Sequence, residues 1–87
     1  MDTDALRSRL DRFGGEEDER RAVARMARDL ADDGRYGADA GAPLTADLVV
    51  EHLADASEGG PVDRWNWWLG SLEVAYGDYR EFQVRRW

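Results

Sequence analysis

The chain has 87 residues and a mass of 9.9 kDa, enough for one small domain, and surface scaling predicts a folded surface of about 5,000 Å². Cysteine is absent, which excludes disulfides, thiol nucleophiles and cysteine-ligated metal sites, and one histidine leaves little room for a histidine-rich site. The 19 acids outnumber the 12 bases, all of them arginine, to give a net charge of −7, and no apolar run approaches the roughly 18–20 residues that span a bilayer.

The first part of the chain predicts two helices. Apolar residues recur at helical spacing from Leu6 to Phe13, and either Asp2 or Thr3 can cap the start of this first helix. The second helix is predicted over residues 16–32, where four consecutive acids precede an apolar stripe with a period of 3.6 residues. Its polar face alternates in sign, which is typical of solvent exposure.

A glycine-rich connection and a third helix follow. Residues 34–43 have the composition of a turn and show no periodicity, so no regular element is predicted there. Thr45 is a natural N-cap, and the third helix is predicted to run from it to Ser57. Its apolar face consists of Ala46, Val49, Val50 and Leu53.

All four tryptophans lie in the last third of the chain. With Asp63 as N-cap, Val62 and Trp67 occupy the two positions of a hydrophobic staple around the start of a fourth helix. One helical stripe then continues through Trp65, Trp68, Leu69, Leu72, Tyr76, Tyr79 and Phe82.

The end of this fourth helix admits two interpretations. The stripe stays in phase past Gly77, which favours one long, aromatic-rich helix, kinked at the glycine. Alternatively, the helix ends at Tyr76 and residues 79–86 form a terminal strand. The sequence therefore predicts a single all-α domain of four helices over residues 1–87, with an α+β fold carrying a short C-terminal strand as the alternative.

The charged residues are unevenly distributed, and their types are unusual. Residues 44–63 carry five acids and no base, whereas residues 64–87 are slightly basic. Abundant aspartate, alanine and glycine, with arginine wholly replacing lysine, resemble the composition of cytoplasmic proteins of salt-in haloarchaea, in particular their small uncharacterised acidic proteins. The resemblance implies a cytoplasmic protein that is adapted to high salt.

Two clusters have residue types that can carry chemistry. His52 and Asp55 stand three residues apart, as a general base and its orienting carboxylate would, but no nucleophile or oxyanion hole accompanies them. Asp29, Asp32 and Asp33 resemble part of a calcium loop that lacks two of the required ligands. The residues therefore predict no enzyme activity, no metal site and no cofactor.

Nucleic-acid binding is the alternative function from a different class. A compact helix-turn-helix-like DNA-binding regulator would use Arg20-Arg21 or Arg85-Arg86 on phosphates. Phosphate affinity falls steeply with salt, however, and the third helix, the candidate recognition helix, contains no base. We expect nucleic acid to be an improbable partner.

Trp67 is the leading candidate for a functional residue. On a helix it points about 100° away from Trp68, and Val74 lies two turns along on the same side. Trp67 is either a structural residue stapled to Val62 or, with Val74 and the terminal Trp87, part of an aromatic patch that binds a protein. The function predicted is a non-catalytic protein-interaction or regulatory module, whose partner is another chain or a second copy of itself.

Overall fold

Helices supply all the regular secondary structure of the chain in the computed structural model, which describes residues 1–87. The fold is all-α, as predicted, and because no strand forms, the α+β alternative is wrong. The elements are α1 (Thr3–Leu10), α2 (Glu17–Asp33), α3 (Arg35–Ala40), α4 (Ala46–Ala54) and α5 (Pro61–Tyr76), with 3₁₀ turns over Asp11–Phe13 and Arg80–Phe82.

Side-chain caps start two of the helices as predicted. Asp2 Oδ1 accepts hydrogen bonds from the backbone N–H groups of Asp4 and Ala5, at 3.0 and 3.1 Å. Thr45 Oγ1 accepts one from the N–H of Leu48 at 3.2 Å. The first N–H groups of a helix have no partner within it, so these oxygens fix where α1 and α4 begin.

The connection between the second and third predicted helices contains an additional helix. Gly34 ends α2 in the left-handed conformation, at φ +83°, and the six residues of α3 follow at once. The buried ring of Tyr36 anchors α3 to the core, a tertiary contact that a turn-like composition conceals. The predicted end of the next helix at Ser57 is wrong by three residues, since α4 ends at Ala54.

The start of α5 also differs from the prediction. Asp63 is not the cap, because the helix begins at Pro61, whose missing N–H and fixed φ suit the first helical position. The free N–H of Val62 is bound instead by Glu19 Oε2 of α2, at 3.0 Å. Val62 is thus the second residue of the helix and does not precede its N-cap, so the predicted staple with Trp67 does not form.

The favoured long C-terminal helix is wrong, because α5 ends at Tyr76, where the alternative interpretation placed its end. That glycine has φ +83°, and Asp78 follows at φ +66°, so the backbone leaves the helical path over two residues. Glu73 Oε2 then accepts a hydrogen bond from the N–H of Tyr79 at 2.6 Å and fixes the new direction. The remaining residues form a 3₁₀ turn and an extended tail, which is neither helix nor strand.

The core lies between α2 and α5. Helix α1 packs on α2, and α4 packs on both α5 and α1. Twenty apolar residues form one buried cluster, and no charged residue is buried. The accessible surface of 4995 Å² agrees with the value predicted from chain length. None of the helices combines the length and the apolarity that crossing a membrane requires.

Candidate functional site

Four consecutive residues in the first half of α5, Trp65 to Trp68, occupy different environments. Trp65 is fully buried, and its indole Nε1–H donates a hydrogen bond to the carbonyl oxygen of Phe82 at 2.8 Å. The indole edge also packs on Trp68, with ring centroids 5.5 Å apart and planes at 69°. Trp65 therefore joins α5 to the tail at the centre of the core.

Asn66 holds the tail at a second point. Its Nδ2 donates to the carbonyl oxygen of Val84, and its Oδ1 accepts from the N–H of the same residue, both at 2.8 Å. One side-chain amide thus provides both of the hydrogen bonds that a neighbouring strand would provide. This pairing accounts for an extended tail in a fold that has no sheet.

Trp68 packs towards α3 and α4. The imidazole of His52 stacks on it at 4.6 Å with the planes 12° apart, and the ring of Tyr36 meets it edge-on at 5.8 Å. His52 makes no hydrogen bond with Asp55, which lies in solvent, so the geometry of a base and its orienting carboxylate is not formed. His52 serves as a packing partner of Trp68.

The residue before the tetrapeptide, Arg64, closes the end of α4. Its Nη1 donates to the carbonyl oxygens of Leu53 and Ala56, at 2.9 and 2.8 Å, and its Nε donates to Gly59 at 2.6 Å. The guanidinium also lies 4.7 Å from the ring centroid of Phe13. Carbonyl groups at a helix C-terminus lack donors within the helix, so the guanidinium of Arg64 supplies hydrogen-bond donors to the carbonyl groups at the end of α4 and in the turn that follows it.

Trp67 is the member of the tetrapeptide whose side chain remains half exposed. It is 49% exposed, its indole makes no hydrogen bond, and its ring packs on none of the other aromatic rings. Val74 is 89% exposed and lies on the same side of the helix, two turns away. We call this side the outer face of α5; it comprises Trp67, Gly70, Ser71 and Val74.

Trp87, the third predicted partner-binding residue, lies elsewhere. It is 57% exposed and borders a shallow depression on α2 beside Asp18, Arg21 and Arg25. The structure therefore brings Trp67 and Val74 onto one face and places Trp87 in the tail, against α2.

The tail is also fixed from α3. Tyr79 is completely buried, and its hydroxyl donates a hydrogen bond to Asp39 Oδ2 at 2.7 Å. Burial, reinforced by this hydrogen bond, raises the pKa of Tyr79 far above its usual value. Arg35 donates to the carbonyl oxygen of Asp78 and, at 2.8 Å, to Glu81 Oε1.

The acids Asp29, Asp32 and Asp33 lie in the last two turns of α2. Asp33 accepts a hydrogen bond from the N–H of Arg35, and Asp29 lies 3.7 Å from the guanidinium of Arg28. No three carboxylate or imidazole groups come close enough to hold a metal ion. The four surface depressions are open and mostly charged, and His52 lines none of them.

Comparison with known proteins gives one match. A family model, the WNWW domain, matches residues 1–73. Its name spells the tetrapeptide at residues 65–68, Trp-Asn-Trp-Trp, whose side chains hold the core and tail together. Neither the curated proteins nor the solved structures include a significant match. With more than four-fifths of its length matched, the chain belongs to the WNWW domain family.

Proposed function

We propose that this domain is a non-catalytic protein-interaction module and that the outer face of α5 is its contact surface. The observation that carries the proposal is the contrast within one tetrapeptide. Trp65, Asn66 and Trp68 are all held by contacts within the chain, whereas Trp67 projects from the same helix turn into solvent. Stability of the fold accounts for the buried half of this side chain but not for the half that stays in water.

The exposed surface of Trp67 is large enough to support binding. A tryptophan can bury up to about 250 Å², so 49% exposure leaves roughly 120 Å² of it in water. Removing that area from water would contribute about 3 kcal/mol. This is the scale of a binding hot spot, and tryptophan is among the residues most enriched there.

Charge favours the same surface. The domain is 36% charged, yet the four residues of the outer face of α5 are uncharged, and the nearest acid on that side of the helix, Asp63, lies one turn before Trp67. The hydroxyl of Ser71 donates to the carbonyl oxygen of Trp67 at 3.2 Å, so its hydrogen-bonding capacity is partly used within the helix. Interface centres are depleted in charge and enriched in aromatic residues, as this face is.

The alternatives from other classes have less support. For nucleic acid, the exposed side of α4 presents Asp47, Glu51 and Asp55, which repel phosphate. Arg21 and Arg28 of α2 each lie within 4 Å of a carboxylate. For catalysis, His52 is stacked on Trp68 and has no carboxylate partner. Both remain alternatives of lower rank.

Interaction is best tested by recovering the tagged domain from a lysate of the organism that makes it, in molar KCl, and determining the masses of bound proteins. We expect a stoichiometric partner, and Trp67→Ala should weaken its affinity about 30-fold, as loss of a 2 kcal/mol hot spot would. Trp87→Ala is the matched control, because it removes a similarly exposed indole from the C-terminal tail, away from the outer face of α5.

The outcomes separate clearly. Retention of the partner by Trp67→Ala, or its loss with Trp87→Ala, would contradict the assignment to the outer face of α5. About half of the Trp67 side chain is buried, so Trp67→Ala should lower the free energy of unfolding by about 1–3 kcal/mol, which leaves the domain folded in molar KCl. A folded variant that fails to bind is therefore the expected result.

We also propose that the domain works in the cytoplasm at high salt. All 19 acids are exposed or only partly buried, and the net charge of −7 sits on 4995 Å² of surface. The mutual repulsion of these charges is strong when the Debye length is about 30 Å, at 10 mM salt, and nearly absent when it is about 3 Å, at 1 M.

Dialysis from molar KCl into dilute buffer should therefore reduce the helical circular dichroism and lower the thermal midpoint. Screening of charge is the expected cause, so sucrose at equal osmolality should restore less structure than KCl does. An unchanged spectrum and midpoint would contradict adaptation to high salt. Equal rescue by sucrose would show that charge repulsion is not the cause.

A further inference from the structure

Helices α1 and α2 form an open groove, the arginine groove, that is strongly basic although the domain is acidic. Its charged lining consists of one acid, Asp4, and four arginines: Arg7 of α1 with Arg21, Arg25 and Arg28 of α2. In each of the other three surface depressions, the numbers of basic and acidic residues differ by no more than one. The arginine groove is therefore a local exception on a surface whose net charge is −7.

Interactions within the domain do not account for the arginines on the α2 side of the groove. Arg21, Arg25 and Arg28 stand at helical positions i, i+4 and i+7, where like charges repel one another and weaken a helix. Arg25 belongs to none of the ion pairs, although the chain has 19 acids. The carboxylate of Asp29 is 3.7 Å from Arg28, too far for a hydrogen bond. Two guanidinium groups thus keep donors free for an anion.

An exposed indole adjoins this groove. Trp87, which is 57% exposed, borders a second depression that shares Arg21 and Arg25 with the groove. Along α2, the residues that line the two depressions are offset by three positions, or about 4.5 Å. One small molecule can therefore place a flat ring on the indole and an anionic group on the guanidinium groups. The outer face of α5 does not include Trp87, so the proposed function leaves this indole without a role.

We propose that the arginine groove and Trp87 bind a nucleoside phosphate, with its phosphate oxygens on Arg25 and Arg28 and its base stacked on the indole. The planar fork of a guanidinium matches phosphate oxygens in pairs, and every nucleobase has a face that can stack on an aromatic side chain. The two depressions measure about 220 and 270 Å³, and small-molecule sites occupy roughly 300–1,000 Å³. A ligand that spans both therefore has the size of a nucleotide.

This site goes beyond the proposed function and is independent of it, since it shares no residue with the outer face of α5. Loss of nucleotide binding would leave partner binding unchanged, and the reverse also holds. The groove is open, and concentrated KCl screens the attraction between arginine and phosphate, so we expect a dissociation constant in the millimolar range.

A titration of the ¹⁵N-labelled domain with ADP, to about 20 mM in molar KCl, detects such weak binding by NMR. We expect saturable shifts of the Trp87 indole N–H and of the Arg25 Nε–H, and none of the Trp67 indole N–H. The Trp87→Ala spectrum assigns the first of these signals. Shifts that do not saturate, or that involve Trp67 and not Trp87, would overturn the site.

Two variants with the same change of charge test whether the groove itself binds phosphate. Arg25→Gln removes the arginine that has no ion pair, and Arg80→Gln removes an exposed arginine that lies beside Glu73 in a different depression. Arg25→Gln should weaken ADP binding at least tenfold, and Arg80→Gln less than twofold. Circular dichroism verifies that both variants are folded. Equal weakening by the two variants would mean that ADP responds to net charge alone, which overturns the site.

Pyrophosphate, which has no base, tests the role of the indole. We expect it to bind at least fivefold more weakly than ADP, because it cannot stack on Trp87. Trp87→Ala should weaken ADP binding at least fivefold and pyrophosphate binding less than twofold. Equal affinities of the wild type for the two ligands, or unchanged ADP binding in Trp87→Ala, would overturn the assignment of a nucleoside phosphate.

Discussion

Removal of residues 77–87 is expected to unfold the domain. Three side chains in this segment, Tyr79, Phe82 and Val84, belong to the buried cluster, and each contributes about 1.5–3 kcal/mol by burial. Their combined loss, about 5–9 kcal/mol, is comparable with the roughly 4–13 kcal/mol expected for the whole of an 87-residue domain. The buried indole of Trp65 would also lose the acceptor of its hydrogen bond.

Circular dichroism and urea unfolding in molar KCl measure this effect. The matched control is a deletion of residues 85–87 alone, which are exposed and leave Val84 in place. It should change the free energy of unfolding by less than about 1 kcal/mol. A cooperative transition of near wild-type stability in the longer truncation would show that residues 1–76 are a complete folding unit. The single domain over residues 1–87 would then be wrong.

Local signals were enough to predict four of the five helices, although the start of α5 and its favoured end differ from the prediction. For α1 and α4 the capping side chains, Asp2 and Thr45, stand next to apolar stripes of clear period. For α2 the stripe is long, and Gly34 marks its end. Such signals act over one turn of helix, so a sequence displays them directly. Helix α3 is too short to show a period, and its stability depends on the burial of Tyr36 by distant residues.

The error at the C-terminus has a different physical origin. Tyr79 and Phe82 keep the phase of the α5 stripe, so the pattern predicted a longer helix. In the structure these rings still reach the core, but from a turn that Gly77 and Glu73 redirect. The helical spacing of apolar residues therefore predicts which side chains are buried more reliably than it predicts the conformation of the backbone that carries them.

The same distinction applies to the candidate site. The angle between Trp67 and Trp68 on a helix indicated that one of them could be exposed, but it could not exclude a staple with Val62. That question depended on where α5 begins, which Pro61 and Glu19 determine. The hydrogen bonds between the Asn66 side chain and the backbone of Val84 join residues 18 apart in sequence, and no local sequence pattern predicts them.

Trp65→Ala is expected to lower the free energy of unfolding by about 3–5 kcal/mol, a large part of the total. The indole is fully buried, so its removal leaves a cavity lined by Trp68 and the tail. It also leaves the buried carbonyl oxygen of Phe82 without its donor. Trp65→Phe fills most of the cavity but cannot donate, so we expect an intermediate loss of about 1–3 kcal/mol.

Trp67→Ala is the control for this prediction, since it makes the same substitution two residues away at a half-exposed position and should cost less, about 1–3 kcal/mol. Urea midpoints in molar KCl compare the three variants. Equal losses for Trp65→Ala and Trp67→Ala would contradict the division between a structural and an exposed tryptophan. A large difference in stability, together with loss of association only in Trp67→Ala, would assign the two indoles to separate roles. Folding would then account for Trp65, and binding would account for Trp67.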